Sequence, residues 1–111
     1  MDLKINNLKI KADIADTPEK RARGLIFSKK KKNMLFIYSD EKVRKFWMPF
    51  VKYPLTLYFI NGQKKIMQIE KAIPMTADPL TWKAYKSEKP CKYVLEIPFD
   101  FKIKTGNKII F

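Results

Sequence analysis

A chain of 111 residues and 13.2 kDa lies in the size range of one domain, long enough to bury roughly two thirds of the surface that its unfolded form exposes. Hydrophobic residues make up 46% of it against 32% charged, which excludes general disorder, and the 24 basic and 11 acidic residues leave a net charge of +13. There is no histidine, which excludes triads with a histidine base, ordinary zinc centres and the usual haem ligation.

The elements predicted in chain order are mostly short strands. Asn6-Asn7 reads as a tight turn, and Leu8, Ile10, Ala12 and Ile14 alternate with Lys9, Lys11 and Asp13, the period of a half-buried strand. DTPEKRARG changes character: Asp16 or Thr17 can cap, Pro18 suits the first helical turn, Glu19 stands at capping-box spacing from Asp16, and Gly24 can take a left-handed stop. This predicts a short helix over 17–23. The run Lys29-Lys30-Lys31-Lys32 then belongs to an exposed loop. MLFIY (34–38) reads as a buried strand ended by turn chemistry at Ser39-Asp40-Glu41, and Val43 to Met48 reads as another. Pro49 and Pro54 make the stretch between them a bend or an edge, Leu55 to Ile60 resumes as a strand, and Asn61-Gly62 closes it as a hairpin onto Lys65 to Ile69. Residues 74–92, with Pro74, Pro79 and Pro90, read as a long irregular loop before the last strands, Tyr93 to Ile97 and Lys108 to Phe111. The expected fold is therefore mainly β: one domain, residues 1–111, built as an antiparallel β-sandwich or partly closed barrel with one short helix.

No apolar stretch approaches the eighteen or so residues of a membrane span, and the opening MDLKINNLKIKAD has no signal-peptide core, so a cytoplasmic location is expected. The single cysteine, Cys91, forms no internal disulfide, and with no histidine base beside it a small packed side chain is the reading favoured over a nucleophile, despite Lys89 and Lys92 nearby. The eleven acidic residues are scattered, and none of the nearest sets (Asp13 and Asp16, Asp40 and Glu41, Glu96 and Asp100) has the look of a paired acid and base. No metal site and no cofactor are expected.

IADTPEKRARGLIF, NMLFIY, KFWMPFVKYPLTLYF followed by NG, and KYVLEIP come in an order and rough spacing that resembles the small prokaryotic family known as domain of unknown function 192. The resemblance spans about residues 10–111, and its most specific part is FWM with PL six residues on. It implies a compact β-sandwich or barrel, found both as a lone cytoplasmic protein and behind export signals, with no established activity. The chain departs from the family pattern in several places. Asn33 stands where glycine usually precedes MLF, Thr56 where an aspartate usually follows PL, and Pro49-Phe50 where a lysine and a polar residue usually follow FWM. Phe99-Asp100-Phe101 replaces an expected glycine and short helix, and Gly106-Asn107 stands where GD is common.

KFWMPFVKYPLTLYF (45–59) holds six aromatic side chains, and two uses compete for them. Much of the cluster must pack a core and a hairpin, since aromatic and β-branched residues are what such strands are made of. The functional alternative is that Trp47 and Tyr58, on the face opposite Phe46 and Phe59, join Trp82 and Tyr85 of the long loop in an aromatic cleft. Such a cleft binds by stacking, with charged groups setting orientation, and Arg23, Arg44 and Glu96 are the candidates. Only three arginines stand among 24 basic residues, and a guanidinium recognises carboxylate or phosphate with a two-pronged geometry that an ammonium lacks. For Arg23 the structural alternative is an ion pair with Asp16, Glu19 or Glu96.

Charge supplies the rival. A pI near 9.9, the lysine quartet and Lys42, Lys45, Lys52, Lys64 and Lys65 would suit nucleic acid or an acidic membrane surface. Lysine preferred to arginine is also what an AT-rich genome or a heat-adapted, archaeal-like proteome produces, with solvated lysines that need no partner. The residues favour a non-catalytic binding module for a small or extended ligand. A basic nucleic-acid-associated protein is the alternative, and an enzyme using Lys, Glu or Tyr comes third.

Overall fold

The computed structural model describes residues 1–26, 28–98 and 102–111. The expected Phe99-Asp100-Phe101 departure therefore lies outside the described residues, as does Phe27. Among the described residues the architecture is mainly β and sandwich-like, with one short α-helix and no closed barrel.

The chain opens with a strand not expected from the sequence, β1 (Asp2–Ile5), which pairs antiparallel with β2 (Leu8–Lys11) across the Asn6-Asn7 turn. Asn6 takes the positive φ of 54° that the turn needs and that asparagine tolerates better than most residues. The predicted strand through Ile14 breaks at Ala12, and its second half, β3 (Asp13–Ala15), joins a different sheet. Helix α1 (Pro18–Arg23) follows, capped by the Thr17 hydroxyl accepting from the Lys20 amide at 3.2 Å, while Asp16 pairs with Lys20 instead. Gly24 ends it at φ 49° and donates its amide to the Lys20 carbonyl.

β4 (Met34–Lys42) is longer than MLFIY. It runs on through Ser39-Asp40-Glu41, where a turn was expected, because a register shift between Ile37 and Lys42 lets its far end return to β9 (Cys91–Ile97). The residues expected as a strand from Val43 to Met48 keep ladder geometry only at β5 (Lys45–Phe46), which pairs with β8 (Tyr85–Lys86) inside the supposedly irregular 74–92 segment. A 3-10 turn, Pro79–Thr81, also forms there. The hairpin β6 (Leu55–Ile60) to β7 (Ile66–Ala72) is present. Its turn spans Asn61 to Lys64: the Asn61 side chain accepts from the Gln63 and Lys65 amides, and Lys64, not Gly62, carries the positive φ of 63°. β10 (Ile109–Ile110) closes the chain against β1.

Five strands form the central sheet in the order β3-β4-β9-β6-β7. All its pairs are antiparallel except β3 with β4, which are parallel because α1 and the lysine loop between them make a crossover long enough to bring the chain back to the same end. Alternation divides its side chains between two cores. Leu35, Tyr58, Ile60, Tyr93, Leu95 and Ile97 pack on Leu3, Ile5, Ile10 and Ile109 of the three-stranded sheet β10-β1-β2. Phe36, Leu55, Leu57, Phe59 and Val94 face the other way and are covered by Leu25, Met48, Val51, Tyr53 and Tyr85, which come mostly from loops. Every residue of β6 is buried as a result. A central strand covered on both faces loses its polar alternation.

Candidate functional site

The loop-covered face is where a site can exist. Gly24 turns the chain off α1 and over the sheet so closely that a Cβ there would stand 3.1 Å from the Phe36 ring. Leu25 then drops into the core. On the other side, Pro49 and Phe50, the latter at φ 58°, bend the chain back after β5. Between these two covers remains a hollow of about 220 Å³, bordered by Arg21, Arg23, Phe36, Tyr38, Phe46, Trp47 and Glu96 among others.

Glu96 is its distinctive group. It sits mid-strand on β9, flanked in register by Met34 of β4 and Leu57 of β6, and is only 4% exposed. Among the described residues no donor bonds to its carboxyl and no cation pairs with it, yet none of the buried side-chain oxygens is fully sealed without a partner. The carboxyl therefore faces the hollow. Burial alone raises its pKa from 4.5 to about 8, so at neutral pH it holds its proton and offers both an O–H donor and a carbonyl acceptor.

The three arginines have separate tasks. Arg21 donates to the Ile37 carbonyl at 3.0 Å and lies 5.1 Å from the Tyr38 ring centre. Arg44 is consumed by structure: its guanidinium bonds the Asp40 carboxylate at 2.9 Å, the Asp40 carbonyl and the Cys91 carbonyl, and covers Tyr38 at 3.7 Å. The bond from Arg44, and then that from Lys42, holds the Asp40 carboxyl below its usual range. Burial pushes the Tyr38 phenol up, against the opposing charge of Arg44. Arg23 is exposed, and the expected ion pair with Asp16, Glu19 or Glu96 does not form among the described residues. It borders the hollow with its guanidinium unspent.

The four-aromatic cleft does not assemble. Tyr58 is 1% exposed and belongs to the sealed core, because the face opposite Phe59 is covered by the three-stranded sheet rather than by water. Tyr85 is 3% exposed, packed under β5, with its hydroxyl accepting from the Ile73 amide. Trp47 (52% exposed) and Trp82 (57%) are at the surface but border different hollows on either side of Pro49 and Val51. The Trp82 indole N–H is held by the Thr76 carbonyl at 2.8 Å. Arg23, Trp47 and Glu96 are thus brought together, and Arg44, Tyr58, Tyr85 and Trp82 are not. Sequence reading missed Arg21, Tyr38 and Phe46; the RAR spacing and the last residue of MLFIY were the available signals, but which face each takes depends on how the loops cover the sheet.

A larger hollow, about 700 Å³, adjoins the first along Arg23 to Ile26 and carries Lys20, Lys29, Lys30 and Lys32. Lys32 reaches Asp13 at 3.6 Å, and Lys20 reaches Asp16 at 3.8 Å. All four quartet lysines are exposed, on a loop tied down where the Tyr53 hydroxyl donates to the Lys30 carbonyl. The remaining lysines expected in one basic face are dispersed: Lys42 pairs with Asp40, Lys45 lies near Trp47, Lys52 borders the Trp82 hollow, Lys64 bonds the Phe111 carbonyl and Lys65 borders a hollow with Thr105 and Gly106.

Cys91 is fully buried and its thiol is pushed up by burial, so it is packed rather than poised. Among the described residues no three Cys, Asp or Glu side chains converge as metal ligands would, and no helix is long and apolar enough to cross a membrane. Two of the departures from the family pattern, Asn33 and Thr56, have a definite place in the fold. Asn33 donates its side-chain amide to the Lys11 carbonyl, tying the start of β4 to the end of β2, and Thr56 is buried on the strand register opposite Ile97 and Lys71.

The fold is shared with two solved structures. One, from Novosphingobium aromaticivorans DSM 12444, is described as a protein of unknown function; it superposes with a TM-score of 0.85 at 22% identity over 100% of this chain and 84% of that one. The other, from Sinorhizobium meliloti 1021, is described as a "putative transcription regulator"; its TM-score is 0.83 at 22% identity over 98% of this chain and 89% of that one. No protein of curated description matches. The profile of the uncharacterized DUF192 family, however, matches residues 1–111 from end to end, so the motifs of the helix, of β4, of the aromatic stretch and of β9 have one common origin: this chain is a member of the DUF192 family.

Proposed function

We propose that the protein is a non-catalytic binding module whose ligand seats a flat group in the hollow between α1 and the Lys45–Val51 segment. The observation that carries this is Glu96, a largely buried residue whose carboxyl has no hydrogen-bond partner among the described residues and opens onto a space walled by aromatic rings. A ligand that covers this carboxyl must bond it, because sealing it unbonded would cost about 1–3 kcal/mol. At about 220 Å³ the hollow is smaller than most drug-sized pockets, so it suits a small ligand or one ring of an extended one. The free thiol of Cys91 fits a reducing compartment, in keeping with a cytoplasmic location.

A thermal-shift screen of small metabolites tests the reading. Hits should disappear in Trp47→Ala and persist in Trp82→Ala, since both rings are exposed and neither change threatens folding. Hits indifferent to Trp47→Ala would remove this hollow from consideration. A second reading, a nucleic-acid-associated protein, is supported by the net charge of +13 and by the regulator description of the S. meliloti structure. Oligonucleotide binding that vanishes at moderate salt and shows no sequence preference would reduce it to nonspecific attraction.

A further inference from the structure

Two hollows of opposite chemistry meet at Arg23. The smaller is walled by Phe36, Phe46 and Trp47 and floored by Glu96; the larger is ringed by Lys20, Lys29, Lys30 and Lys32. Arg23, Gly24, Leu25 and Ile26 border both, so a single ligand can occupy the two by crossing the turn that ends α1. From this juxtaposition we infer that the ligand is a nucleoside 5′-phosphate, with its base in the Glu96 hollow and its phosphates across Arg23 towards Lys29 and Lys30. The inference rests on the binding reading above and names the ligand class for the same site.

Each simpler occupant leaves part of the arrangement without purpose. An organic cation would satisfy Glu96 but would meet Arg21, Arg23 and Lys45, all on the border of the same hollow. A purely apolar ligand would seal Glu96 without a bond, which is the costly case. A bare polyanion would use the lysines and ignore both the aromatic walls and the acid. A protonated carboxyl presents an adjacent donor and acceptor, and nucleobases present edges of the same complementary kind. Aromatic walls accept any base by stacking. On the other side of Arg23, Lys20 and Lys32 are partly neutralised by Asp16 and Asp13, whereas Arg23, Lys29 and Lys30 have no carboxylate partner among the described residues. Arg23 is the planar, two-pronged group at the junction where the first phosphate would lie.

The test is isothermal titration of the full chain at about 150 mM salt with the four common ribonucleoside triphosphates, their nucleosides, inorganic tripolyphosphate and a short single-stranded oligonucleotide. At least one triphosphate should bind about tenfold more tightly than tripolyphosphate and than its own nucleoside. Arg23→Ala should weaken it about tenfold, Glu96→Gln, which keeps a donor and an acceptor, should leave it within about threefold, and Glu96→Leu should weaken it about tenfold. Circular dichroism of each variant separates lost binding from lost folding. Tripolyphosphate binding as tightly as every nucleotide, Glu96→Leu without effect, or an oligonucleotide that outcompetes all mononucleotides would each overturn the inference. Should no nucleotide bind while another small molecule binds in a Trp47-dependent way, the ligand class is wrong and the binding module stands.

Discussion

The two faces of the central sheet are built from the same strands and end in opposite conditions. On β9, Tyr93, Leu95 and Ile97 enter a core closed by another sheet, while Val94 and Glu96, one residue out of phase, enter a layer closed by a helix turn and loops. A sheet laid on a sheet meets it at a continuous interdigitating surface and leaves little open space. Loops meet a sheet unevenly, and the Glu96 carboxyl opens into the gap between Gly24 to Ile26 and Trp47 to Val51. What distinguishes a core from a site here is therefore the covering element, not the strand.

This contrast can be broken from either side. Leu95→Ala, on the sealed face, should cost about 2–5 kcal/mol in urea unfolding, since the removed methyl groups leave a cavity that a sheet-on-sheet core cannot collapse into. A cost below about 1 kcal/mol would mean that this face is not tightly packed.

Glu96 gives the next effect, read by pH. The unfolded carboxyl releases its proton near 4.5 and the folded one near 8, so between these values the folded state holds more protons and stability falls as pH rises. The contribution is fully present below about 4.5 and lost above about 8, with a total on the order of a few kcal/mol. Glu96→Gln should flatten stability between pH 5 and 8, and an unchanged slope would assign the effect elsewhere. Smallest is Thr17→Ala, which removes the cap of α1, part of the cover over the open face. It should cost about 1 kcal/mol while weakening ligand hits, and it sharpens the comparison because the sealed face should not notice it.

Legibility follows the same division. The Asn6-Asn7 turn, the helix over 17–23, the β6–β7 hairpin and the strand through MLFIY were readable because capping, turn chemistry and alternation are local, although only Leu35 and Phe36 of that run are fully buried. The strand β8 was hidden, because two residues acquire ladder geometry only through their partner, Lys45-Phe46. The extension of β4 through Asp40 was hidden for the same reason: β9 and Arg44 hold a polar stretch extended that in isolation reads as a turn. That Tyr58 is core rather than cleft was hidden too, because alternation tells that two residues face opposite ways, but not that both ways are dry.

The amino-acid sequence by itself determined a folded, basic, mainly β domain, because composition and short-range periodicity need no knowledge of what lies across space. It also placed Arg23, Trp47 and Glu96 among the residues to examine. Only the tertiary structure decided that Tyr58 and Tyr85 are core, that Arg44 is spent on Asp40 and Tyr38, and that Glu96 faces an open hollow. Those outcomes turn on which element covers which face, a contact between segments tens of residues apart that no local pattern encodes.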